Sequence, residues 1–195
     1  MTNLIITPVV LPSDLKEQEN GKLDAKLLSP IDKNGGRLHH NVAKAFNLMF
    51  NAAKKDGVEL KATSSADTYR TYDVQVKTFQ KRYSRIPRLG QKPKVWEGKK
   101  YWLKKGQAGA AVPGTSNHGY GIAIDLVMHT AVLDWLLKNA AKFGFSWEDQ
   151  SENWHIRYVL GDALPKLPAV KPAVAKPVAE KTTAKKAAKP AKPTK

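Results

Sequence analysis

Two short stretches, SNHGYGIAID (116–125) and ENWH (152–155), decide how this chain is read. Between them they hold two imidazoles, His118 and His155, and two carboxylates, Asp125 and Glu152. Catalytic zinc takes three protein ligands from His, Asp and Glu and leaves one position for water. Such water ionises near pH ~7, and a neighbouring carboxylate can take its proton and pass it to a leaving amine. The set therefore reads as His118, Asp125 and His155 around one Zn2+, with Glu152 as general base.

The spacing predicts strands. In 121–126, Ile122, Ile124 and Leu126 alternate with Gly121, Ala123 and Asp125, the period of a half-buried strand. The second segment, 154–159, is rich in strand formers and puts His155 and Arg157 on one face. Two neighbouring strands can then offer Asp125 and His155 to the same ion, with His118 supplied by the loop before the first.

The first stretch is similar to the S-x-H-x-x-G-x-A-x-D pattern of the LAS zinc metallopeptidases, which comprise D-alanyl-D-alanine carboxypeptidases, dipeptidases and L-alanyl-D-glutamate endopeptidases of peptidoglycan. The second resembles their E-x-W-H pattern and continues as I-R-Y-V. The resemblance covers about 38–161. It implies zinc on His118, Asp125 and His155, and Glu152 as base. It also implies an α+β, Hedgehog/DD-peptidase-like fold, with a central antiparallel sheet flanked by helices and the zinc site on the sheet. The segment SADTYRTYDVQ (65–75) resembles the family's S-G-Y-R-s-x-x-x-Q. By that match Arg70 donates to the scissile carbonyl or the substrate carboxylate; Asp67-Thr68 depart from the usual Ser-Gly. Ser116 holds the first motif position, where its hydroxyl binds substrate or caps a loop. Arg157 is expected to be an ion-pair partner, and Trp154 to be core packing beside the site. His39, His40 and His129 are expected at surface or structural positions. Neighbouring helical residues point about 100° apart, so His39 and His40 make no ready metal clamp.

Other chemistries fit less well. The chain has no cysteine, which excludes a Cys-His mechanism. Ser13-Asp14-Leu15-Lys16 matches S-x-x-K, but the K-T-G element that accompanies it is absent. A Ser116-His118-Asp125 triad would leave ENWH without a purpose.

The 195 residues suit one domain with extended ends. The expected organisation is an N-terminal extension (1–36), a peptidase domain (37–162) and a disordered basic tail (163–195). Helices are expected at 40–55, 72–83 and 131–143, a strand at 58–63, and a hairpin at 94–103 around Glu97-Gly98. Residues 165–195 hold nine lysines, eight alanines and six prolines against one glutamate, a net charge of +8, half of the chain's +16. Such a composition does not fold alone; it suits attachment to an anionic wall polymer, less so to nucleic acid, or service as a spacer. The first residues lack a basic region followed by a long apolar run, and no apolar run approaches the ~20 residues of a membrane span. The expectation is a phage endolysin or virion-associated lysin, released to the bacterial wall rather than secreted by a leader. The leading reading is a peptidase of peptidoglycan stem peptides, leaning towards the endopeptidase over the carboxypeptidase. The rival is a non-catalytic, zinc-containing binding protein whose basic tail holds wall polymer or nucleic acid.

Overall fold

The computed structural model describes residues 3–31 and 36–166. Its elements are β1 (Leu28–Pro30), β2 (Arg37–His39), α1 (His40–Lys55), α2 (Tyr72–Arg82), β3 (Tyr83–Ser84), β4 (Lys94–Trp96), β5 (Lys99–Leu103), β6 (Ala123–Asp125), α3 (Thr130–Asn139), β7 (Phe145–Trp147) and β8 (His155–Tyr158). Helix α1 organises the core. Val42, Ala45, Phe46, Met49 and Ala53 recur at helical spacing and are at most 1% exposed, which is the stripe an amphipathic helix lays on a core. Lys54 and Lys55 close its last turn, where cations suit the helix dipole.

That stripe meets an antiparallel sheet of order β6-β8-β7. Phe46 packs edge-on against Phe145 of β7, with ring centroids 6.3 Å apart. Ile122, Ile124, Leu126 and Ile156 fill the same core. The alternation expected at 121–126 therefore holds for its apolar residues. Ala123 is buried too, so of the small or acidic row it is Asp125, at the strand's end, that reaches the cleft described below.

A second three-stranded antiparallel sheet, β3-β5-β4, contains the expected hairpin. Its turn has Glu97 at φ 48° and Gly98 at φ 70°, the left-handed pair of a tight two-residue turn. Phe79 of α2 stacks on Tyr83 and meets Trp96 and Tyr101 edge-on, fixing this sheet to α2.

Several boundaries move for local reasons. Helix α2 stops at Arg82 because Tyr83 enters β3 opposite Leu103. Helix α3 gives way to a tighter turn over Ala140–Phe143 before Gly144 reverses the chain at φ 79°. The strand expected at 58–63 reduces to one bridge, Ala62 to Leu126. The N-terminal segment, which lacks periodicity, is nonetheless integral: Leu4, Leu15, Leu23, Leu27 and Leu28 join the core. It runs parallel to the later strands at Ile6–Trp147 and Val10–Leu160, and β1 pairs with β2. The tail expected at 163–195 lies outside the described residues from 167 onward.

Truncating Phe46 to Ala removes the aromatic that joins α1 to β7. We expect it to cost about 3–5 kcal/mol of stability, read as a lower urea midpoint with an unchanged slope.

Candidate metal centre and cleft

Strands β6 and β8 pair so that Asp125 stands directly opposite His155, with Ala123 opposite Arg157. Facing residues of an antiparallel pair lie on the same side of the sheet. Asp125 Oδ1 is 2.7 Å from His155 Nδ1. His118 comes from the short turn Asn117–Tyr120 just before β6, and its Nε2 is 3.4 Å from the same oxygen. The three expected ligands thus converge, with one donor atom from each lying within 4.8 Å of the others.

The turn that delivers His118 depends on two glycines. Gly121 adopts φ +64°, and a Cβ there would sit 2.8 Å from the His39 backbone nitrogen. At Gly119 a Cβ would collide with the Asn20 side chain. Asn20 accepts from Gln75 Nε2 at 3.0 Å and donates to the Ser116 carbonyl at 2.8 Å, while Gln75 Oε1 accepts from Gly114 at 2.9 Å. This buried polar chain clamps the loop leading to His118.

Both histidines are oriented from behind. His118 Nδ1 lies 2.9 Å from the Thr68 carbonyl. A carbonyl only accepts, so Nδ1 donates to it and Nε2 is the nitrogen turned towards Asp125. His155 Nε2 is 2.9 Å from Glu148 Oε2. Histidines that hold metals usually have such an outer partner, so the donor set fits a divalent ion. Glu148 also accepts from Asn117 at 2.8 Å and pairs with Arg157 at 3.3 Å. Arg157 is therefore the ion-pair partner that the sequence suggests.

The charges are mutually dependent. Burial pulls the His155 pKa down, but hydrogen bonds to Asp125 and Glu148 outweigh it and raise the value to about 9. Burial pushes Asp125 up, but hydrogen bonds from His118 and His155 hold it well below the usual carboxylate range. The hydrogen bond from His155 is the main cause that holds Glu148 down to about 2, against burial. An ion on His155 Nδ1 would displace the proton shared with Asp125, while Glu148 keeps the one on Nε2.

The triad opens into a cleft of about 490 Å³ that is also lined by Arg70, Ser116, Glu148, Glu152 and Trp154. Glu152 is joined to His155 by a backbone turn, with His155 N donating to the Glu152 carbonyl at 3.1 Å. Arg70 is held by Asp67 at 2.9 Å and by the Ala66 carbonyl at 3.0 Å, and its Nη2 lies 3.9 Å from Asp125 Oδ2. Ser116 is buried at the cleft wall; His118 Nδ1 is engaged by Thr68, which argues against a serine triad. Trp154 corrects the expectation of core packing: it is 39% exposed at the rim, and the tryptophans that are buried are Trp135 and Trp147. His129 is exposed, whereas His39 is fully buried.

The family model for VanY, D-alanyl-D-alanine carboxypeptidase, matches residues 35–161. The chain is 32% identical over 144 residues to the protein YodJ of Bacillus subtilis (strain 168), covering 63% of this chain and 46% of that one. It is 29% identical over 154 residues to a D-alanyl-D-alanine carboxypeptidase of Enterococcus faecalis (strain ATCC 700802 / V583), covering 69% of this chain and 53% of that one. It therefore spans about half the length of these curated relatives. Among solved structures, VanYB in complex with D-alanine-D-alanine superposes with a TM-score of 0.51 at 23% identity, over 77% of this chain and 85% of that one. That likeness shows the fold.

Two outcomes follow from the geometry. Glu148→Ala should weaken zinc affinity by about 10–100-fold, measured by competition with a chelator of known strength. With chelator present, the raised His155 pKa stabilises the fold fully below its ordinary value of 6.5, and that contribution is lost as pH rises through about 9. The urea midpoint should fall across that window, and saturating zinc should flatten the fall.

Proposed function

The chain belongs to the VanY family of D-alanyl-D-alanine carboxypeptidases, and from that premise we propose that it is a zinc-dependent peptidase of peptidoglycan stem peptides. One observation carries the reading: His118 Nε2, Asp125 Oδ1 and His155 Nδ1 converge in a cleft that also contains Glu152. Bound there, zinc would supply Lewis-acid chemistry and make water acidic near pH ~7.

The remaining work falls to the chain's own side chains. Glu152 takes the proton from the attacking water and delivers it to the departing amine. Glu148, engaged by His155, Asn117 and Arg157, is committed elsewhere, which leaves Glu152 for that task. Arg70, fixed by Asp67, directs its guanidinium at the scissile carbonyl; one such oriented donor is typically worth ~3 kcal/mol in the transition state. Ser116 offers a hydroxyl to the substrate backbone. Arg82 and Lys94 add two cations to the cleft lining, a feature suited to a terminal carboxylate. The family match and these cations favour removal of a terminal D-alanine over the endopeptidase that the sequence suggests.

The site of action is then the bacterial cell wall. A lytic form of the proposal, an endolysin or virion-associated lysin, draws support from the +8 charge of residues 165–195, which suits retention on anionic wall polymer. The non-catalytic alternative is disfavoured because Glu152 is present beside the ligand set.

The test is mass spectrometry of products from defined stem pentapeptides. Loss of one D-alanine, abolished by chelator and restored by zinc, is the expected result. Glu152→Ala should keep its zinc and lose 10²–10⁴-fold in turnover. Parental turnover in Glu152→Ala, or binding with no product under any condition, would sink the reading.

A further inference from the structure

A second group of two histidines and one carboxylate lies outside the cleft. Strand β2 passes directly into α1, so His39 keeps an extended backbone (φ −50°, ψ 139°) while His40 opens the helix. The histidines are therefore not successive residues of one helix. The change of backbone at the junction brings their rings together, with centroids 4.1 Å apart and planes tilted by 38°. This corrects the expectation that neighbouring histidines point apart.

Asp14, from the short turn Ser13–Leu15, meets both rings. Its two oxygens are 3.0 and 3.1 Å from His39 Nε2, and Oδ2 is 3.6 Å from His40 Nε2. One donor atom from each of the three lies within 4.8 Å of the others. Asp14 is held in place on both sides: Leu15 is fully buried, and Ser13 N donates to Asp162 Oδ1 at 2.9 Å. Asp162 brings a second negative charge near His39. The side chains of Asp14 and His40 remain 35% and 32% exposed, so an ion can enter from solvent. Burial lowers the His39 pKa and favours the neutral imidazole, the form that binds metals. Two imidazoles with one carboxylate suit zinc, nickel or copper better than calcium or magnesium.

We propose that Asp14, His39 and His40 form a second site for a divalent transition-metal ion, zinc above all, which staples the N-terminal segment to the start of α1. The simpler use of the cluster is a hydrogen-bonded tether with no ion, and the two differ in metal count. The full chain would be loaded with zinc at neutral pH, dialysed, and its bound zinc counted by elemental mass spectrometry. Two equivalents are expected in the parent chain. One is expected in Asp14→Asn/His40→Gln, one in Asp125→Asn, and none in all three substitutions combined. Retention of the cleft ion reports that the double variant is folded. In the Asp125→Asn background, zinc should raise the melting temperature, and adding His40→Gln, at a partly exposed position, should abolish the rise. One equivalent in the parent, still present in the double variant, overturns the proposal. One equivalent that survives Asp125→Asn but not the double substitution upholds it and removes the metal from the peptidase reading instead.

Discussion

The pairing of Asp125 with His155 across β6 and β8 is the constraint on which the site rests. A strand alternates its faces residue by residue, so a slip of one position would turn one of these side chains to the opposite face. The apolar residues around them hold the register. Ile124 pairs with Ile156 and both are fully buried against the α1 stripe. The hydrophobic core thus sets where an anion and an imidazole meet, to within hydrogen-bond distance. Chemistry that requires a geometry of this kind is built most securely on rigid strands.

Around that pair the charges form a closed set. His155 stands between Asp125 and Glu148; Glu148 is shared with Asn117 and Arg157; Arg70 is shared between Asp67 and the edge of Asp125. Each carboxylate is stabilised by a neighbour that it stabilises in turn. Removing one partner leaves the other charged, half-buried and unmatched, which costs more than the pair was worth. The ligands are thereby preset in direction, His118 by a backbone carbonyl and His155 by a carboxylate.

Much of this was legible in the chain. The alternation at 121–126 and the two motifs locate His118, Asp125, Glu152 and His155, and the periodicity of 40–55 delivers α1 with the bounds observed. The supporting residues were not legible. Thr68 acts through its carbonyl, which carries no side-chain signal. Glu148 follows a three-residue strand too short for periodicity to mark. Asp67, which departs from the family pattern, turns out to hold Arg70. Leu4 and Leu15 lie among turns, and the segment that carries them is held by residues more than a hundred positions later. The closeness of the His39 and His40 rings was not legible because helical geometry was assumed for both, whereas the helix begins between them.

The junction of the first and last described segments has a kinetic side. Leu4 exchanges two hydrogen bonds with the Gln150 side chain, Val10 N donates to the Val159 carbonyl, and Ser13 is tied to Asp162. These contacts bridge nearly the whole domain, and bringing such distant points together is entropically slow. Residues 4–13 are made well before β8 and must wait for it to receive their apolar side chains. The edge of the metal-bearing sheet is therefore completed late, and a nascent chain has reason to be aggregation-prone until then.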